Sequence, residues 1–178
     1  MGAKAKRMAL IFPLIGTAIG YGIAYLIYRF GDQDKYDSRI LTAKDFEVQW
    51  MLLGLILFYL TVVWLNIYPG RFKERFMGGG NLRANMFIYK QATDVNGEGS
   101  AIVLNTEGDI GKYNRGNRSL HHFIENSIPL VASLPISFYL FPLPSFVLLA
   151  IFCVGRILHQ AGYANGGYGK HAPGFILS

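Results

Sequence analysis

The sequence predicts an all-α integral membrane protein with four transmembrane helices and one long loop. Its mean hydropathy is +0.28, and 52% of its 178 residues are hydrophobic while only 16% are charged. That charged fraction is low for a soluble domain. The apolar residues lie in four blocks, each near the roughly 20 residues that cross a bilayer as a helix. Polar and ionisable side chains recur at helical spacing in the last two blocks, which predicts a polar site inside the bundle.

The chain is predicted to form one membrane domain, and its spans are residues 8–28, 48–68, 120–141 and 145–163. The first block is longer than the core of a signal peptide and no small-residue cleavage site follows it, so we expect a retained helix. Pro129 and Pro135 lie inside the third span, where neighbouring helices can pack around a kink. A tight Pro-Leu-Pro turn at 142–144 predicts an antiparallel hairpin, followed by a tail over 164–178.

Lysine and arginine are concentrated on one side of the predicted membrane. The amino end, the second loop and the tail hold most of them, whereas the first loop is acidic. The positive-inside rule predicts both termini on the cytoplasmic or matrix side. An organelle membrane is expected, either the mitochondrial inner membrane or the endoplasmic reticulum. The net charge of +6 is explained by this flank, which contacts membrane lipids, and no nucleic-acid partner is indicated.

The second loop, residues 69–119, is expected to have some structure of its own. Two β-prone runs, MFIYKQAT and SAIVLN, are separated by DVNGEG, which predicts a short β-hairpin. The segment GRFKER at 70–75 is interpreted as a solvated stretch facing lipid headgroups. The glycine cluster at 77–81 lacks the Lys-Ser/Thr ending of a phosphate-binding loop and is interpreted as a flexible joint.

The predicted hairpin carries the residues that we expect to form a site. They are Arg118, His121, His122, Glu125, Arg156, His159 and Tyr163. An ionisable group facing lipid costs roughly 3 kcal/mol, so these side chains should face the interior, pair with one another or bind a ligand. At 1.5 Å per residue, Glu125 and Arg156 lie at one depth, about 8–10 Å inside their helices. This predicts a structural ion pair between them.

These residues also carry a resemblance. The runs YNRGNRSLHHFIEN and VGRILHQAGY resemble the signature of the MAPEG family, the membrane-associated proteins of eicosanoid and glutathione metabolism. The microsomal glutathione S-transferase branch is the most similar. WLNIYPGRFKER is similar to the end of that family's first helix and its basic loop. The resemblance covers roughly residues 48–172.

The resemblance implies a helical bundle that forms trimers, with glutathione between neighbouring subunits. Arg118, His122, Glu125, Arg156, His159 and Tyr163 would line such a site. Arginine suits this ligand, because it donates bidentate hydrogen bonds to each of the two carboxylates of glutathione. The family also uses an arginine after its third helix to activate the thiol. Here the bases Lys170 and His122 are the only catalytic candidates, since no arginine follows Tyr163.

Other positions depart from the family. Histidine stands at 121 and 122 where the family has other polar residues, the family's last helix is expected to be missing, and an extra helix is expected at the amino end. Its GTAIG run offers a small-residue face for close packing. We therefore expect a non-catalytic accessory subunit of a larger membrane complex, and we assign it no cofactor.

Two alternatives stay open. The first is a glutathione transferase or peroxidase, a homotrimer that conjugates glutathione to lipophilic electrophiles. The second is a metal site formed by His121, His122, Glu125 and His159, although such a grouping on one helix is more often a hydrogen-bonded interior.

Overall fold

The computed structural model describes residues 3–77, 86–93, 97 and 99–178. This part of the chain forms seven helices and one two-stranded sheet. In chain order the elements are α1 (Ala3–Phe30), α2 (Gln33–Asp45), α3 (Val48–Ile67), α4 (Gly70–Met77), β1 (Tyr89–Thr93), β2 (Ser100–Leu104), α5 (Gly108–Leu140), α6 (Pro142–Gly166) and α7 (Ala172–Ile176). The predicted glycine joint at 77–81 lies, apart from Met77, outside the described residues.

Three helical stretches are long and apolar enough to cross a membrane. They are Val48–Met77, Gly108–Leu140 and Pro142–Gly166. The predicted first span is helical within α1, but its described apolar part, Leu14–Phe30, is shorter than these three. Three helices able to span a membrane are therefore confirmed, whereas four spans are not.

Helix α6 is central, because α3, α5 and α7 all pack against it. At one end of the bundle, Leu134 and Phe138 of α5 bury against Leu149 and Cys153 of α6. Gly54 of α3 permits this contact, since an added Cβ would lie 2.8 Å from the Phe138 ring. Burial of apolar area and close packing of the helices hold this end together.

The third span begins earlier than the sequence predicted, at Gly108 instead of residue 120. The added turns are polar in sequence, yet Tyr113, Asn114 and Asn117 are fully buried. Asn114 donates to the carbonyl oxygens of Ile88 and Asn105, at 2.7 Å each, and accepts from the Ile88 N–H at 3.0 Å. Asparagine thus fixes the segment before β1 and the segment after β2 onto α5. These tertiary hydrogen bonds explain why a polar stretch forms buried helix.

The predicted β-hairpin is confirmed. β1 and β2 pair antiparallel, with Tyr89 opposite Leu104 and Thr93 opposite Ser100. Lys90 of β1 forms an ion pair with Glu107, the residue before α5. The Lys90 ammonium accordingly lowers the pKa of the Glu107 carboxyl, which is fully exposed. The hairpin is therefore joined to α5 by a charged surface contact as well as by Asn114.

Two other predicted loops contain helices. GRFKER lies in α4, where Phe72 and Lys73 are buried while Arg71 lies 5.0 Å over the Tyr68 ring. The description of this segment as simply solvated was therefore wrong for one of its faces. In the first loop α2 has no buried residue and is capped by Asp32, whose carboxylate accepts from the Lys35 N–H at 3.1 Å. Aspartate at an N-cap was the available signal for α2.

The antiparallel hairpin of α5 and α6 is confirmed with a shorter turn than predicted. Helix α5 continues through Pro129 and Pro135 to Leu140, and α6 begins at Pro142, so only Phe141 lies between them. Proline is well placed at the first position of a helix because it has no N–H to satisfy there. The predicted turn residues 142–144 therefore belong to α6.

The tail also contains a helix. Residues 167–171 reverse the chain direction, and α7 folds back onto α6. The two segments approach closely at three glycines, Gly155, Gly162 and Gly174. A Cβ at Gly174 would lie 2.1 Å from the backbone nitrogen of His159. The tail thus covers the end of α6 that carries Arg156 and His159.

Candidate functional site

A buried polar cluster joins α5 to α6. Ser119 Oγ lies 2.8 Å from His159 Nδ1. The backbone carbonyl oxygen of Ser119 accepts a hydrogen bond from Arg156 Nη2 at 3.0 Å. Arg156 Nη1 lies 3.3 Å from His122 Nδ1. Arg156 is only 2% exposed and His159 only 5%. The cluster is therefore a set of interior hydrogen bonds between opposite residues of the hairpin.

Aromatic rings enclose this cluster. The rings of His122 and His159 stack with centroids 5.6 Å apart. The Phe123 ring lies 5.5 Å from the Arg156 guanidinium, a distance suited to a cation–π contact. From the tail, His171 places its ring 5.2 Å from that of His159, edge to face, and Phe175 lies 6.2 Å from His122. The tail therefore completes the wall of the site.

A cavity of about 160 Å³ opens beside the cluster. Its lining residues are Arg118, Ser119, His122, His159, Tyr163, Tyr168, His171 and Phe175. Pockets for drug-sized ligands are usually about 300–1,000 Å³. This cavity is smaller, and it suits a compact polar group better than a whole tripeptide.

Four of the predicted site residues meet at this cavity. Arg118, His122, His159 and Tyr163 line it, and Arg156 contacts two of the lining residues from behind. The nearby Arg115 instead donates to the carbonyl oxygens of Tyr163 and Ala164, at the end of α6.

Glu125 does not join the cluster, so the predicted ion pair with Arg156 is not formed. The hairpin register sets His122 opposite Arg156, and Glu125 lies about 4.5 Å deeper along α5. Its side chain is exposed on the outer surface of the bundle. The sequence predicted the depth of Glu125, level with Arg156, to within about one helical turn. It did not predict that the Glu125 side chain lies on the outer face of α5.

The two other basic candidates also lie apart. His121 contacts the ring of Phe87 at 5.0 Å, on the side of the β-hairpin. Lys170 is exposed, and its aliphatic carbons lie against Gly166. Within the described residues, no three histidine, cysteine or acidic side chains come close enough to hold a metal. The four residues of the metal alternative therefore do not come together, because His121 lies against Phe87 and Glu125 faces outward.

Ser119, His171 and Phe175 were missed from the sequence. Ser119 is flanked by stronger candidates, and its role follows only from the hairpin register. His171 and Phe175 reach the site because the chain reverses after α6, where Gly167 and Gly169 have positive φ angles of 74° and 89°. The run of glycines at 166, 167 and 169 was the available signal for this reversal.

Comparisons of the chain with protein-family models, with curated proteins and with solved structures find no match. The resemblance to the MAPEG family stays a prediction from the residue pattern.

Proposed function

We propose that this chain is a MAPEG-like integral membrane protein that serves as a non-catalytic structural subunit of a larger membrane assembly. The proposal rests on the contacts of Arg156, which are made within its own chain. Two of its nitrogens are engaged by Ser119 and His122, so the guanidinium fastens α5 to α6. Both partners belong to the same chain, so this contact between the helices needs no cosubstrate.

The position of the remaining bases supports a non-catalytic role. A glutathione thiol loses its proton at neutral pH only when a fixed cation stands beside it. Lys170, the basic candidate in the tail, is exposed and does not line the cavity. His122 lines the cavity, but its Nδ1 already faces Arg156. Neither base is arranged as a free activating cation.

Glu125 supports membership of an assembly. It lies about 7.5 Å beyond Leu120, where the apolar part of α5 begins, and its side chain faces outward. A charged side chain facing lipid costs roughly 3 kcal/mol at the helix centre and a part of that at this level. Contact with a polar group of a second protein would remove that cost.

Helix α1 supports the same proposal. Within Leu14–Phe30 every side chain is exposed except that of Tyr28, which is partly buried. Gly16 and Gly20 have no heavy atom within 4 Å of an added Cβ. A helix with small residues and open apolar faces is suited to packing against a membrane helix of another subunit.

Orientation and location form part of the proposal. The excess of lysine and arginine in the second loop and at both ends favours placing both termini on the cytoplasmic or matrix side. The membrane would be that of an organelle, the mitochondrial inner membrane or the endoplasmic reticulum. Partners would be membrane lipids and other membrane-protein subunits.

A second candidate function is a homotrimeric glutathione transferase or peroxidase. It is favoured by the cavity, which has Arg118 and Tyr163 in its wall, and by Arg156 Nε, which is buried without a hydrogen-bond partner among the described residues. In a trimer a neighbouring subunit would enlarge the cavity and cover Glu125.

The size and composition of the native particle distinguish the two functions. The chain would be extracted from its own membrane in a mild detergent, as wild type, as Glu125→Gln and as Glu47→Gln. Glu47 is an exposed acid outside the helices and serves as the control. We expect a heteromeric complex that Glu125→Gln weakens and Glu47→Gln leaves intact. A particle of three copies, about 60 kDa from a 19.9 kDa chain, with no other protein would contradict the proposal.

A further inference from the structure

The charge balance of the cavity is unusual. Arg156 is a buried guanidinium, and among the described ion pairs within 4 Å it has no carboxylate partner. Arg118, which is exposed, lines the cavity and has neither an ion pair nor a hydrogen bond within the described part of the chain. None of the described residues that line the cavity is acidic. Burying a charge without compensation is strongly unfavourable, so the buried charge of Arg156 calls for an anion, and Arg118 lies where it could bind one.

Two further groups near the cavity have no hydrogen-bond partner in the described part of the chain. Arg156 Nε and His171 Nδ1 are buried and make no hydrogen bond within the described residues. Buried polar atoms of native proteins are nearly always satisfied, and exceptions usually mark a water, an ion or a ligand. His171 lines the cavity, and Arg156 lies directly behind Ser119 and His122, which also line it.

From these observations we propose that the cavity binds a phosphate ester, with Arg118 as its principal charged donor and His171 as a second contact. A phosphate group presents several strong acceptor oxygens and matches the planar fork of arginine. A volume of about 160 Å³ accommodates such a compact group. This proposal deepens the proposed function and rests on it in one respect, namely that the cavity is not a glutathione site.

The depth of the cavity in the membrane indicates whether the phosphate belongs to a lipid. A hydrocarbon core of about 30 Å corresponds to about 20 helical residues. Counted along α6 from Leu143, the opposite edge of that core falls near Tyr163. The cavity therefore opens at the depth of lipid headgroups. Phe175 lines it while remaining 54% exposed, and its neighbour Ile176 is 81% exposed, so acyl chains attached to the phosphate would have an apolar surface to lie on.

The test is a titration of the purified full chain, in an uncharged detergent, with dihexanoyl phosphatidic acid, monitored by phosphorus NMR. Dihexanoyl glycerol, which has the same acyl chains without phosphate and gives no phosphorus signal, is added as a competitor of phosphatidic acid and serves as the ligand control. Arg118→Gln removes the proposed donor, and Arg71→Gln removes an exposed arginine of α4 as a matched control. We expect saturable binding of phosphatidic acid, at least about tenfold weaker for Arg118→Gln, as for the loss of a charge-assisted hydrogen bond. Arg118→Lys, which keeps the charge and loses the fork, should lie between.

Inorganic phosphate and glutathione, added as competitors, separate the remaining outcomes. Weak competition by phosphate identifies a lipid headgroup as the source, whereas competition as strong as that of phosphatidic acid identifies free phosphate esters; both support the site. Equal behaviour of the Arg118→Gln and Arg71→Gln variants, or displacement of phosphatidic acid by dihexanoyl glycerol at similar concentration, would overturn it and leave the proposed function intact. Displacement by glutathione at similar concentration would instead overturn the proposed function.

Discussion

Replacing Gly174 with alanine should detach the tail from α6. The added Cβ would lie 2.1 Å from the nitrogen of His159 and 2.6 Å from both its Cα and the carbonyl oxygen of Gly155. Ordinary contact begins at 3.4 Å, so α7 would have to retreat by about 1.3 Å, the difference between 3.4 and 2.1 Å. Those three atoms belong to the backbone of a long helix and cannot move aside, whereas a five-residue helix can.

The expected cost is about 1–3 kcal/mol, the usual penalty for overpacking a close contact. A gap of this size also forfeits much of the dispersion energy between the two surfaces. At 1.4 kcal/mol per factor of ten, local opening of the tail should become about 5- to 150-fold more frequent. Hydrogen exchange of the Phe175 amide, which donates to the His171 carbonyl at 2.9 Å, measures that opening directly.

Gly20→Ala is the control for this substitution. An added Cβ at Gly20 meets nothing within 4 Å, so alanine there should stabilise α1 by about 0.5–1 kcal/mol. If the Phe175 amide of Gly174→Ala exchanges as slowly as in the wild type, the close packing of the tail on α6 is wrong, and so is the role of His171 and Phe175 as a wall of the cavity.

Further substitutions test the contacts that hold the site in place. Asn114→Ala removes three hydrogen bonds to the segments that flank the hairpin and should destabilise the protein by about 2–4 kcal/mol. Unfolding in sodium dodecyl sulfate measures this, and an unchanged midpoint would refute the anchoring role. Gln160→Met removes the 2.6 Å bond to the Leu65 carbonyl. It also removes a buried side-chain oxygen that has no hydrogen-bond partner among the described residues, so we expect a loss of only about 1 kcal/mol in the same assay. Because Lys90 lowers the pKa of Glu107 below 4.5, this contact should stabilise the hairpin above pH 4.5 and weaken as the pH falls through the lower folded-state pKa. Lys90→Gln should abolish that pH dependence in the hydrogen exchange of β1, and a pH dependence that persists in the variant would contradict the assignment.

The sequence predicted the parts of the fold that depend on hydrophobic length. Three of the predicted spans coincide with long apolar helices, and the turn residues of DVNGEG correctly indicated a hairpin. The start of α5 was missed because hydropathy cannot recognise polar residues such as Asn114 that are buried by tertiary hydrogen bonds. The unbroken helix from Gly108 is stabilised by packing and not by its local composition.

For the site, spacing brought the correct residues to one end of the hairpin but not into the correct pairs. Helical periodicity gives neighbours on one helix, whereas partners across a hairpin depend on the register set by the single residue Phe141. That register pairs His122, not Glu125, with Arg156. The contribution of His171 required a chain reversal whose geometry depends on the positive φ angles of Gly167 and Gly169, and sequence alone suggests such a reversal without giving its direction.

Glutathione binding tests the central claim most directly, namely that the polar cluster fastens the hairpin and does not hold a cosubstrate. Radiolabelled glutathione would be dialysed to equilibrium against the particle isolated from its native membrane, with Arg118→Gln measured beside the wild type. The account predicts no saturable binding at millimolar glutathione for either protein. Saturable binding by the wild type that Arg118→Gln abolishes would contradict it and establish the transferase alternative as the better description.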